Sequence, residues 1–413
     1  NDAGFDRLIN SYSYGGLFRN DMAWFQGDAV RKNPNLKPET TISKEIGAEV
    51  RLLDGRLTAD VTYYDKYTRD QIVESELSYL SNYQRVIINS GKISNKGWEI
   101  SVSGVPVKVK NFEWKTIFNW SKNNSMVESL PEGIDKIQIG SGVYNVKSYA
   151  EVGKPYGAIY AKTFKRDAEG YILCQLDGSP KEGQDYEYLG CVQADWRGGW
   201  NNVFRLGNFS FSVMFDFQKG GKFFSQTSIQ SSVDGQSVKS LEGRDADFFS
   251  RKILGESDEE RYGFMRPQNA NTPTANGQIY PDWGRPKGVV LPNCRYDEDV
   301  EGLAGQQVLG YCTPERYWMH YTSRDISRFI YDASYVKLRE ITVSYDLPKK
   351  WLRKTPFQTF RVAAVGRNIA TLFANTPHGL DPQATSTTGN AQGFERGFNL
   401  PSATYGFDIK VSF

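Results

Sequence analysis

Histidine and cysteine are scarce in this sequence. Its 413 residues hold two histidines, His320 and His378, and four cysteines. Neither histidine lies in an H-E-x-x-H pattern, and no C-x-x-C pair stands near either one, which excludes the usual zinc sets. There is no G-x-x-x-x-G-K-S/T phosphate loop and no G-x-S-x-G nucleophile elbow. With 50 basic against 48 acidic side chains the formal net charge is +2, so the basic excess of a nucleic-acid binder is missing too. No stretch approaches the ~18 consecutive apolar residues of a membrane helix. Nothing near Asn1 has the layout of a secretion signal, so the start reads as a processed or truncated end.

What little chemistry remains is dispersed. The cysteines fall in sequence order as Cys174/Cys191 and Cys294/Cys312. They read either as two disulfides of an oxidising compartment or as four unpaired thiols. Asp258-Glu259-Glu260 and Asp297-Glu298-Asp299 sit in polar loops, where solvation explains them better than catalysis. A calcium site in the second run finds no EF-hand spacing. No enzyme, no cofactor and no metal is expected.

The abundant features are aromatics, 14% of the chain, and a repeat of period two. Ile42, Ile46, Ala48, Val50 and Leu52 alternate with Ser43, Glu45, Glu49 and Arg51. The same holds for Leu57–Tyr63, Trp98–Val102, Phe112–Trp120 and Phe209–Phe217. The cleanest case is the last, Tyr405, Phe407, Ile409, Val411 and Phe413 against Asp408, Lys410 and Ser412. Successive strand side chains point to opposite faces, so each segment has one apolar and one polar face. Less regular strands are expected over 145–152, 155–166, 199–206, 334–346 and 358–370, with a bulge near Arg339 and Glu340 where the apolar phase slips. That makes about eleven antiparallel strands. Short links, such as Leu53-Asp54-Gly55 and Gly207-Asn208, alternate with long polar ones at 68–95, 122–144, 167–198, 219–333 and 371–402.

Long loops on one side and short turns on the other are the asymmetry of outer-membrane barrels. A secreted β-sandwich gives the same period with the apolar face turned inward. Strands of about ten residues, aromatics recurring on the apolar face and a final apolar-face aromatic favour lipid outside. The polar face then lines a lumen with Glu45, Glu49, Arg51, Asp60, Lys115 and Arg361. The segment 219–333 is far longer than ordinary connections and reads as functional. Its Tyr280, Trp283, Arg285, Tyr317, Trp318, Tyr321 and Arg324, with Trp24 near the N-terminus, are candidates for contacting a ligand or a partner, because rings beside hydrogen-bonding groups suit a sugar or a peptide. The competing reading is that these rings fold the loop upon itself.

Several stretches also carry motifs in a recognisable order. Asn33-Pro34-Asn35-Leu36-Lys37-Pro38-Glu39, then Val61-Thr62-Tyr63-Tyr64-Asp65, Asn89-Ser90-Gly91-Lys92-Ile93-Ser94-Asn95-Lys96-Gly97-Trp98-Glu99 and Gly153-Lys154-Pro155-Tyr156-Gly157 come first. Asp332-Ala333-Ser334-Tyr335-Val336-Lys337-Leu338-Arg339, Gly366-Arg367-Asn368, Gly379-Leu380-Asp381-Pro382 and the terminal Phe413 follow. From Asn33 onward the chain resembles the C-terminal barrel portion of TonB-dependent receptors, and specifically the SusC/RagA branch of Bacteroidetes. Gln383 stands where that branch usually has Glu.

The resemblance implies an all-β fold: the C-terminal half of a large transmembrane β-barrel, with residues 1–40 as an extracellular segment leading into a barrel portion over 41–413. It also implies an outer-membrane importer of oligosaccharides or oligopeptides, driven by the TonB complex. A SusD-like surface lipoprotein would act as its lid, and transporter–lipoprotein pairs would associate as dimers. The plug domain and TonB box of that family are not visible here, so Asn1 is expected to lie in a surface loop of a longer chain. Two alternatives stand beside this reading: a secreted β-rich glycan-binding or adhesin module, and a surface glycan hydrolase.

Overall fold

The computed structural model describes residues 5–18, 22–77, 79–242, 289–312, 314–377, 379–384, 392–397 and 402–413. Nine long strands form one antiparallel sheet: β1 (Thr40–Leu52), β2 (Leu57–Glu76), β3 (Arg85–Val109), β4 (Phe112–Ser129), β5 (Trp196–Leu206), β6 (Phe209–Lys219), β7 (Tyr335–Asp346), β8 (Thr359–Ala374) and β9 (Thr404–Ser412). Each pairs with its sequence neighbour, from β1 at one edge to β9 at the other, and the two-residue strand Val30–Arg31 adds to β3. Among the described residues no helix is long and apolar enough to cross a membrane, a statement that leaves strands untouched.

The register turns the period-two pattern into continuous surface rows. Trp114 faces Phe204, Phe204 faces Phe211, Phe211 faces Val343, Val343 faces Ala364 and Ala364 faces Phe407. Trp114, Phe204 and Phe211 stack in succession, with centroids 5.9 and 6.1 Å apart. A second row runs Val50, Ala59, Val102, Phe118, Trp200, Phe215. These rows are open to the outside: Phe407 is 86% exposed, Val343 47% and Val50 46%. A water-soluble sandwich would have packed them in its centre. The wall is therefore apolar outward and polar inward, as a barrel in lipid requires.

The bulge expected near Arg339 is present, since the register slips between Leu338 and Glu340 against both neighbouring strands. Other expectations need correction. Of about eleven strands, the two expected over 145–152 and 155–166 leave the wall. They join a separate four-stranded sheet of Lys136–Ser141, Lys147–Glu151, Ala158–Ala161 and Glu187–Cys191. The expected loop over 68–95 is instead mostly strand, because β2 and β3 continue far beyond their alternating stretch. There Asp70, at φ 58°, is skipped by the pairing, which reverses the alternation and hides it.

Three buried clusters hold the loops together. One gathers Val73, Ile93 and Val127 of the wall with Ile137, Ile139 and Ala150 of the small sheet. Ile159, Ala161, Phe224, Ile229, Ile326, Phe329 and Phe394 form the second. The third contains Phe164, Ile172, Cys174, Val289, Cys294, Val308, Tyr317, Trp318 and Tyr321. The dry cores thus lie in the connections at the long-loop end, while the wall has none of its own.

Candidate functional site

The inner face of the wall carries cross-strand rows of hydrogen-bonding groups. Asp60 faces Ser101, Ser101 faces Asn119, Asn119 faces Gly199 and Gly199 faces Asp216. One turn of the pleat along, Thr62, Glu99, Ser121, Arg197 and Gln218 form the next row. Apart from Gln218, these residues line an open hollow of 450 Å³.

Beside it, the residues that carried the sequence motifs converge. Lys337 donates to both carboxylate oxygens of Asp381 at 2.6 Å and to Gln383 Oε1 at 3.0 Å. Arg339, freed from the ladder by the bulge, donates to Asp216, to Asn368 Oδ1 at 2.6 Å and to Gln383 Oε1 at 2.7 Å. Gln383 Nε2 in turn donates to Tyr335 Oη at 2.5 Å. A glutamate at 383 could accept from the two cations but could not donate to the tyrosine. The departure noted at this position therefore has a use: one amide both accepts and donates. The cluster clamps the segment after β8 to the inner wall, a role the sequence did not announce.

The candidate loop residues fall into three groups. Tyr280, Trp283 and Arg285 lie outside the described residues, as do Asp258-Glu259-Glu260 and His378. Trp24 sits on a hairpin of Tyr12–Phe18 and Met22–Gly27 and is 44% exposed. Its ring lies flat on the hairpin backbone, where a side chain at Gly15 would come within 2.5 Å of it. Phe25 meets Tyr14 edge-on at 5.9 Å. Tyr317, Trp318 and Tyr321 are buried to within 2% of full enclosure. The Trp318 indole donates to the Glu242 carbonyl at 3.1 Å, and Tyr317 Oη accepts from Arg328. Burial pushes the Tyr317 phenol up to about 12, against the opposing pull of the Arg328 charge. Arg324 lies over the Tyr321 ring at 4.8 Å and reaches Glu182 at 3.8 Å. Tyr317, Trp318 and Tyr321 thus pack within the loop, as the competing reading has it, while the Arg324 side chain stays 39% exposed.

Carboxylates in the same region are also committed. Asp297, almost wholly buried, accepts from Lys165 at 2.9 Å and from Lys181 at 2.7 Å, with the Glu298 amide at 2.9 Å. Burial alone would raise its pKa, but the two ammonium groups and the amide outweigh that and hold it at about 2. Asp177, paired with Arg316 at 2.9 Å, is likewise lowered although burial opposes it. Among the described residues no group of three metal-ligating side chains stands ready for an ion.

In this structure Cys174 is not bonded to Cys191, nor Cys294 to Cys312. Cys191 lies in the small sheet opposite Ala158, whereas Cys174 belongs to the Ile172–Cys174 strand beside Val289–Tyr296. Cys294 faces Val308 and Cys312 faces Val289 in one hairpin. Four positions along a strand, about 13 Å, separate their levels, well beyond the reach of a disulfide.

Comparison with known proteins fits this geometry. The family model "TonB dependent receptor-like, beta-barrel" matches residues 4–369. TonB-dependent receptor P3 of Formosa agariphila is 25% identical over 395 residues, 90% of this chain and 33% of that receptor. TonB-dependent receptor SusC of Bacteroides thetaiotaomicron is 29% identical over 104 residues, 25% of this chain and 10% of that protein. Among solved structures, the RagAB peptide importer in its closed-closed state superposes with a TM-score of 0.63 at 17% identity, covering 98% of this chain and 38% of the other. That likeness concerns the fold. The chain spans about a third of the length of receptor P3.

Proposed function

The chain belongs to the TonB-dependent receptor β-barrel family of the outer membrane, and from that premise we propose that it forms wall and outer loops of an active importer for oligosaccharides or oligopeptides. The observation that carries this reading is the inverted wall: rows of exposed Trp, Phe and Ile on one face and a polar inner face on the other. Folded loops crowd one end of that wall and supply the surface a lid would close upon. A SusD-like lipoprotein is the partner of choice, with the exposed hairpin rings Tyr14, Trp24 and Phe25 as its contact. Energy comes from the TonB complex acting through a plug, and transporter–lipoprotein pairs assemble as dimers. In this reading no bond is made or broken in the ligand: the described inner face offers positioned hydrogen-bonding groups for binding.

The test is made in cells. Deleting the gene should abolish energised uptake of the cognate oligomer, and detergent extracts should yield the protein together with a surface lipoprotein. Extraction as a water-soluble monomer, or uptake undiminished in the deletion strain, would refute the proposal.

A further inference from the structure

The small sheet beside the wall has two very different faces. Antiparallel pairing sets Lys136 opposite Glu151, Gln138 opposite Tyr149, Ala158 opposite Tyr149, Tyr160 opposite Lys147 and Tyr160 opposite Tyr188. Alternation therefore places Lys136, Lys147, Tyr149, Glu151, Tyr160 and Tyr188 on one face. The opposite face presents Ile137, Ala150, Ile159 and Ala161, which pack on the wall residues Val73, Ile93 and Val127 and on the following loop. Ile93 and Val127 fall on the same side of their strands as Asn95 and Asn123, which join Tyr64 in an inner-face hydrogen-bonded chain. The sheet thus lies against the inside of the wall, and its lysine–tyrosine face is turned away from the wall.

On that face cations rest on rings. Lys136 Nζ lies 3.8 Å from the centroid of Tyr160 and 4.4 Å from that of Tyr149. Lys154 Nζ is 4.6 Å over Tyr188 and donates to Tyr160 Oη at 2.7 Å, and Lys147 Nζ is 4.7 Å over Tyr186. The carboxylate of the group, Glu151, is already paired with Lys154 at 3.0 Å and accepts from Tyr160. Among the described residues no carboxylate comes within ion-pairing distance of Lys136 or Lys147. Burial pulls the Lys136 ammonium below its ordinary pKa, with Lys154 and Lys147 adding to the pull and Glu151 opposing it. A half-buried ammonium with rings beneath it and, among the described residues, no carboxylate at ion-pairing distance gains most from an incoming anion.

We propose that this face is a binding subsite for an acidic oligosaccharide, whose carboxylate or sulfate groups pair with Lys136 and Lys147 while a sugar ring lies on the exposed ring of Tyr188. A flat ring covers the apolar CH face of a sugar while ammonium tips beside it take the acid groups. The inference rests on the importer reading and narrows its ligand class.

The test uses the native protein extracted in detergent, with binding measured by calorimetry at low and high salt. The probes are an oligogalacturonate, a sulfated oligosaccharide, a neutral oligosaccharide of equal length and an oligoglutamate. The acidic sugars should bind, more weakly as salt rises. Lys136→Gln and Lys147→Gln should each weaken binding about tenfold, with Lys136→Arg retaining most of it and Tyr188→Phe nearly all. Each variant is checked for the heat-modifiable mobility of the folded barrel. Equal binding of the neutral sugar, tighter binding of oligoglutamate, or glutamine variants that fold and bind unchanged would each overturn the subsite. Energised uptake of a neutral oligomer in the same strain would show the importer intact, so the two readings fail separately.

Discussion

Asp297 anchors the loop core through two lysines, and its replacement by asparagine gives a quantitative test of that core. The carboxylate is nearly inaccessible, within 2.9 Å of Lys165 and 2.7 Å of Lys181. Its pKa falls from 3.8 to about 2 on folding. At about 1.4 kcal/mol for each tenfold in proton affinity, the ionised form contributes about 2.5 kcal/mol to the folded loop. Because the folded value is the lower one, that contribution is complete above about pH 4 and is lost as the pH falls toward 2. Asp297→Asn should therefore weaken the loop at neutral pH by about 2 to 3 kcal/mol and flatten its acid dependence. Asp299→Asn is the control: its side chain is 69% exposed and also bonds Lys181, so its loss should be worth under about 1 kcal/mol. Amide hydrogen exchange over 289–329, read on the detergent-extracted protein from pH 3 to 7, reports the local opening free energy. Equal protection in the two variants at neutral pH would refute the reasoning.

Other outcomes follow from the wall and from the loop. Phe407→Arg puts a charge on the outward face at a position 86% exposed, and should cost about 2 to 4 kcal/mol in lipid vesicles, whereas Asp408→Asn should cost little; urea titration of the reconstituted protein measures both. Gly97→Val should abolish the folded, heat-modifiable band, since even a Cβ there would lie 2.3 Å from the Lys122 carbonyl and 2.3 Å from the Tyr64 hydroxyl. Trp318→Ala should open the third loop core at a cost of about 3 to 5 kcal/mol, visible as faster proteolysis of the loop with the barrel intact.

The wall was legible because two solvents imposed it. Lipid on one side and water on the other force the alternation seen at Tyr405–Val411, and the ladder then follows from the order of the chain. Where that constraint ends, legibility ends. Beyond Asp70 the alternation of β2 and β3 reverses and Val73, Ile87 and Ile93 are buried instead of facing lipid, so the extension did not continue the pattern. The segment 147–151 alternates as wall strands do, because a small sheet with one buried face obeys the same rule, whereas 158–161 is buried on both faces. Tyr317, Trp318 and Tyr321 show the limit from the other direction. A ring chosen to fill a core and a ring chosen to hold a sugar are the same residue, and only the contacts across the loop, to Glu242 and Arg328, separate them. The Lys337–Gln383 cluster was visible only as a motif, because its partners lie more than forty positions apart.

The decisive measurement is spin-label accessibility along β9. With single cysteines introduced in turn at positions 405 to 411, labelled in lipid vesicles, the odd positions should be open to oxygen dissolved in lipid, and the even ones to a water-soluble nickel chelate. The opposite phase, or an apolar row reached by neither reagent, would contradict the placement of hydrocarbon outside this wall.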